Sequence, residues 1–169
     1  MKKTAAVSMA LGTAPLFSRI PLSFGAQSKT DLAVVTGDRI PATKKAIDLL
    51  GGMEKFIKKG CRVVLKPNMS FPHPPERATN THPEVVATVA KMCIDAGARE
   101  IVILDFPFNP PDKCLGLSGI ADACKGMKNV YAFALTEEKF FRPFAVSRGK
   151  VLREVKLLKD VLESDVLIN

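Results

Sequence analysis

One pattern governs what this chain can fold into: short, almost wholly apolar runs alternate with longer segments of helical periodicity. Leu32-Ala33-Val34-Val35-Thr36, Cys61 to Lys66, Glu100 to Asp105 and Asn129 to Leu135 are rich in β-branched residues and bounded by glycine, proline or polar residues. Such runs read as strands. A strand with one wet face alternates apolar and polar residues, whereas Val63-Val64-Leu65 and Ile101-Val102-Ile103-Leu104 do not alternate. They therefore need cover on both faces, which implies an α/β fold: a mostly parallel sheet with helices on both faces. Hydrophobic residues make up 47% of the 169, enough to bury one such core.

The intervening segments supply the helices. Ala42 to Phe56 places Ala46, Ile47, Leu50 and Met53 on one side, although Gly51-Gly52 interrupts it. Pro83 to Ala96 is the clearest helix, with Val85, Val86, Val89, Met92, Cys93 and Ala96 on one face and Gly97 as its stop. A further helix is expected near Leu115–Lys125. Phe144 to Ser147 and Val151 to Leu157 read as a hairpin around Arg148-Gly149-Lys150, and Lys159–Glu163 as a short helix. Val166-Leu167-Ile168 is a typical buried strand, and Asn169 follows it directly. The expectation is that residues 31–169 form the N-terminal portion of an incomplete domain.

Residues 1–26 have a different character. Lys2 and Lys3 precede an uncharged, mostly apolar stretch from Thr4 to Phe17, and Ser23-Phe24-Gly25 offers small residues for cleavage after Gly25. This is the layout of a secretory signal, and the apolar stretch is shorter than a membrane span requires. Lys-Lys-Thr-Ala-Ala-Val-Ser also matches the back half of a twin-arginine signal without its arginine pair. The expected partner is the export machinery, the expected location periplasmic or extracytoplasmic, and no stable membrane span is expected. The net charge of +8 is scattered, and with one tyrosine and no tryptophan the chain lacks the aromatic platforms of a nucleic-acid surface.

In an open parallel sheet, ligands bind where the strands' carboxyl ends meet loops and helix N-termini. Thr36-Gly37-Asp38, Lys66-Pro67-Asn68, Asp105 and Asn169 fall at such ends. Lys66 is the sharpest candidate, a cation leaving the sheet at a place fixed by the following proline; the plain alternative is a strand-end lysine reaching solvent. Thr81 and Glu84 fit a capping box at the start of the Pro83 helix. His82, between them, stands where backbone N–H groups favour anions and is a candidate base or ligand. Lys66 and His82 are thus the candidate catalytic residues, Asn68, Thr79 and Asp105 candidate ligand contacts, and Thr81 and Glu84 structural caps. His73 shares the loop, but no spacing of histidines and cysteines marks a metal site.

Cys61, Cys93, Cys114 and Cys124 contain no C-x-x-C pair; Cys61 and Cys93 read as packing residues, and Cys114 with Cys124 as either a disulfide or a reduced pair. No Gly-x-Gly-x-x-Gly, Walker or Gly-x-Ser-x-Gly motif is present.

Taken together, Val-Val-Leu-Lys-Pro-Asn (63–68), Thr-Asn-Thr-His-Pro-Glu-Val-Val (79–86), Asp-Ala-Gly-Ala-Arg-Glu-Ile-Val-Ile (95–103) and Ser-Asp-Val-Leu-Ile-Asn (164–169) resemble the family catalogued as domain of unknown function 362. The resemblance runs from about residue 31 onward. It implies a protein that is often exported, and in some members an iron–sulfur segment further along the chain. No cluster-binding cysteines are encoded in this stretch, so an iron–sulfur cofactor is implied only if a C-terminal region is missing. Three functions follow as expectations: an enzyme acting on a small anionic ligand at the Lys66–Glu84 loop, a redox protein, or an exported binding module.

Overall fold

A computed structural model describes residues 30–169, and the expectations for residues 1–26 lie outside that range. Four strands form one parallel sheet: β1 (Arg62–Leu65), β2 (Glu100–Asp105), β3 (Val130–Ala134) and β6 (Val166–Ile168), in the order β3-β2-β1-β6. The absence of alternation has its expected consequence. Val63, Leu65, Ile101 and Ile103 point to one face, and Val64, Val102 and Leu104 to the other, all buried. Each such side chain contributes roughly 1.5–3 kcal/mol by leaving water, so the β1–β2 pair is the centre of the fold.

The first face is covered by α1 (Arg39–Leu49), α2 (Pro83–Asp95), α3 (Pro111–Leu117) and α4 (Ile120–Ala123). Val86, Ala90 and Cys93 of α2 form the buried stripe, spaced as the periodicity predicts. The second face is covered differently. A hairpin of β4 (Phe141–Ala145) and β5 (Glu154–Leu158), with α5 (Lys159–Glu163), lays Phe140, Phe141, Leu158 and Val161 over Val64, Val102 and Leu104. The sheet thus has helices on both faces, with a single short helix and a hairpin on the second.

Arg62 ties the late elements to β1. Its guanidinium pairs with Glu100 and Asp160, and its backbone N–H donates to Asp165 Oδ2 at 2.7 Å. Burial works against the charge, but the hydrogen bonds to Asp160 and Glu100 hold its pKa above the ordinary value.

Several expectations need correction. Leu32 to Thr36 is not a strand: it joins no sheet, and Leu32 and Val34 are 79% and 81% exposed. β-propensity describes how well a residue fits a paired, half-buried surface, and here no strand supplies one. The first helix stops at Leu49 because Gly51 and Gly52 take φ of 109° and 83°, and a single 3₁₀ turn at Met53–Lys55 follows. The helix expected near 115–125 is two helices, broken at Gly119 with φ 72°. The hairpin strands begin and end further from the turn than expected, leaving a loop over 146–153. Pro143 is tolerated because β4 pairs on one side only.

Candidate functional site

The chain lays β1, β2 and β3 outward in one direction, then returns to place β6 on the other side of β1. The carboxyl ends of β1 and β6 therefore flank a topological switch point, where an open parallel sheet leaves a crevice. A cleft of about 200 Å³ lies there, lined by Leu65, Lys66, Pro67 and Thr81, by Val85, Val86 and Val89 of α2, and by Ile168 and Asn169. The Lys66 N–H donates to the Ile168 carbonyl at 2.8 Å, extending the ladder to the rim of the cleft.

Lys66 leaves the ladder with its side chain half exposed, and its Nζ reaches Asp105 Oδ1 at 2.9 Å. Asp105 ends β2 and is 3% exposed. Its other oxygen, Oδ2, accepts the Met69 N–H at 2.9 Å and the Ser70 hydroxyl at 3.2 Å. A carboxylate buried this deeply is stable only when its lone pairs are occupied, and these three donors occupy them. Two residues predicted from separate strand ends are thus brought into one ion pair, and the strand-end lysine is anchored rather than merely solvated.

The loop between β1 and α2 is held by its own asparagines. Asn68 and Thr81 pair in both directions: the Asn68 N–H donates to Thr81 Oγ1 at 3.0 Å, and the Thr81 N–H to the Asn68 carbonyl at 2.8 Å. The Asn68 amide donates to the Thr79 carbonyl at 3.1 Å while its oxygen accepts the Ser70 N–H at 3.1 Å. Asn80 repeats the device, accepting the Phe71 N–H at 3.1 Å and donating to the Phe71 carbonyl at 2.9 Å. Thr79 Oγ1 meets His73 Nδ1 at 3.2 Å, and the His73 ring stacks on Phe71. The side-chain polar atoms of Asn68 and Thr79 are therefore engaged within the loop.

The N-cap is displaced by one residue, and the expected reciprocal capping box does not form. Thr81 does not cap α2, because its hydroxyl is taken by the Asn68 N–H. His82 is the N-cap, its Nδ1 accepting the Glu84 N–H at 3.3 Å. Glu84 reaches out instead of back, meeting Arg39 Nε at 3.1 Å and so joining the starts of α1 and α2. His82 makes its polar contacts with Glu84 and is not among the residues lining the cleft.

Sequence reasoning missed Ser70, the Met69 N–H and Asn80. Asn80 stands between two threonines in a proline-rich loop, a composition that signals side-chain-to-backbone bonding; nothing local marks Ser70, whose partner is distant in sequence. All four cysteines are buried and free. Burial pushes the Cys93 thiol up to about 12, and raises Cys114 and Cys124 as well. Among the described residues no group of three or more His, Cys, Asp or Glu is placed to hold a metal ion, and no helix is long and apolar enough to cross a membrane.

A family model described as Domain of unknown function (DUF362) matches residues 63–169, from the middle of β1 through β6. The chain is also similar to a thylakoid-associated protein of Synechocystis sp., 29% identical over 134 residues. That match covers 79% of this chain and 40% of the relative, so the chain spans well under two thirds of the relative's length. No solved structure matches.

Proposed function

The chain belongs to the DUF362 family, and we propose on that footing that the cleft between β1, β6 and α2 binds a small molecule with one anionic group and a short apolar body. The observation that carries this reading is the Lys66–Asp105 pair beside the switch point, where Lys66 leaves β1 and lines the cleft while Asp105 ends the neighbouring β2. An ammonium has three donors, and Asp105 accepts one of them. Lys66 lines the cleft with N–H groups left over from its bond to Asp105, and the N-terminal end of α2 adds its positive dipole. Thr81 and Asn169 supply neutral polar groups, while Leu65, Val85, Val86, Val89 and Ile168 form an apolar wall suited to a hydrocarbon rather than to a second charge. Asp105 acts through Lys66 as a positioning residue, and any proton transfer in this cleft falls to Lys66 before His82.

Thermal unfolding of the full chain in acetate, butyrate, succinate and inorganic phosphate tests the reading. Butyrate is expected to raise the midpoint more than acetate, and more than the two multiply charged anions. Lys66→Met should abolish that rise. Equal shifts with all four anions, or a rise that survives in Lys66→Met, would remove the cleft as the binding site.

We propose also that residues 1–26 direct export. The supporting feature is the order of Lys2-Lys3, the uncharged stretch and Ser23-Phe24-Gly25. A reporter active only outside the cytoplasm, fused after Gly25, should be active and should fall silent when an Asp pair interrupts the apolar stretch.

A further inference from the structure

The hairpin of β4 and β5 has two ends of opposite character. At its base Phe141 pairs with Leu158, and both join Val64, Val102 and Leu104 beneath the sheet. At its far end the last pair is Ala145 with Glu154, and the chain turns outward through residues 146–153. Val151 there is 97% exposed and Leu152 58%. Arg148, Lys150 and Arg153 stand beside them, and the loop contains no acidic residue.

The hairpin's cations divide accordingly. On and beside the strands they are neutralised: Lys139 by Glu137, Arg142 by Glu163, and Lys156 by Glu138. Among the described residues none of the three loop cations is within ion-pair distance of a carboxylate, and residues 1–29 contain no Asp or Glu that could serve. The loop is also shaped. The Val146 N–H donates to the Arg153 carbonyl at 2.8 Å and the Gly149 N–H to the Val146 carbonyl at 2.9 Å. A Cβ at Gly149 would overlap the Leu152 carbonyl oxygen, so only glycine lets the two arms of the turn approach. The bare aliphatic pair is presented by a closed turn.

An acidic protein surface would satisfy the three cations but leave Val151 and Leu152 against polar groups. A neutral apolar surface would take the aliphatic pair and strand the cations. A surface that is anionic outside and apolar just beneath meets both demands, and that layering belongs to a lipid bilayer. We infer that residues 146–153 form a peripheral docking element for an anionic lipid surface: Val151 and Leu152 enter the headgroup boundary while Arg148, Lys150 and Arg153 meet lipid phosphates. This inference is independent of the ligand cleft.

Co-sedimentation of the full chain with phosphatidylcholine vesicles, with and without phosphatidylglycerol, tests it. The chain should pellet with the phosphatidylglycerol vesicles and be released by salt. Arg148→Gln/Lys150→Gln/Arg153→Gln should weaken partitioning on the order of a hundredfold, the product expected of three surface cations. Val151→Asp/Leu152→Asp should weaken it as well. Lys44→Gln/Lys45→Gln/Lys125→Gln removes the same charge from exposed sites elsewhere and should leave partitioning unchanged. Circular dichroism should superimpose for all forms, since these residues lie outside the core. Failure to pellet, equal pelleting on neutral vesicles, or loop variants that pellet like the wild type would each overturn the inference. The last result would also be obtained if the Thr4–Phe17 stretch were the membrane-seeking segment.

Discussion

Lys66 Nζ lies 2.9 Å from Asp105 Oδ1, and the two residues differ sharply in exposure: the lysine side chain is 43% accessible and the aspartate 4%. The aspartate is the fixed member of the pair, held from behind by Met69 and Ser70. The lysine can exchange part of its solvation for a ligand without losing its anchor.

That asymmetry sets the order of two mutational costs. Asp105→Asn brings an amide to donors that need an acceptor and should lower stability by about 2–4 kcal/mol. Lys66→Met leaves the carboxylate its Met69 and Ser70 donors, so its cost should be smaller, about 1–2 kcal/mol. Urea unfolding of both variants checks the order; a larger loss for Lys66→Met would mean that Asp105 is not the anchor.

Asn68→Ala removes both side-chain links to Ser70 and Thr79, each worth about 0.5–1.5 kcal/mol. The Arg77 bond, in the same loop, should then become more sensitive to trypsin. Thr79→Ala keeps the backbone carbonyl that Asn68 uses and should change trypsin sensitivity much less. Comparable cleavage of the two variants would show that Asn68 does not hold the loop.

As the N-cap of α2, His82 should be replaceable. Asn is among the better caps, so His82→Asn should keep or raise stability, whereas His82→Ala should cost about 0.5–2 kcal/mol. If His82 also takes part in chemistry, His82→Asn would lose turnover while its melting temperature held, and the two measurements separate the roles.

The Cys93 thiol, raised by burial from 9.0 to about 12, links stability to alkaline pH. In the folded state it stays neutral where the unfolded chain ionises. Its contribution is therefore complete below pH 9 and is lost as pH rises toward the folded value, by up to about 1.4 kcal/mol per unit. Urea midpoints should fall between pH 9 and pH 11, and Cys93→Ala should flatten that fall from a lower starting stability. An unchanged slope in Cys93→Ala would assign the effect to other groups.

The strands at β1, β2 and β3 were legible within a residue or so, because Val63 to Leu65 and Ile101 to Leu104 are apolar without alternation, a pattern that demands two covered faces. The same reasoning failed at Leu32 to Thr36, where composition matched but no strand stood beside it; pairing is not a local property. At the candidate site the apolar runs placed Lys66 and Asp105 at strand ends, but their contact depends on how β1 and β2 register. Thr81 shows the opposite failure. Its spacing to Glu84 satisfied a local rule, and a bond from Asn68, 13 positions earlier in the chain, took the hydroxyl that rule required.

The place of β6 has a consequence for synthesis. The ribosome delivers β1 about a hundred residues before the strand that flanks it, the Arg62–Asp165 hydrogen bond alone bridging a separation of 103. During that interval one edge of a buried central strand lies open, and its β2 partner must form and hold without the later element. A sheet assembled in this order relies on its first pair being stable early, and slow translation between Asp105 and Val166 would lengthen the interval in which a nascent chain could pair with a neighbour instead.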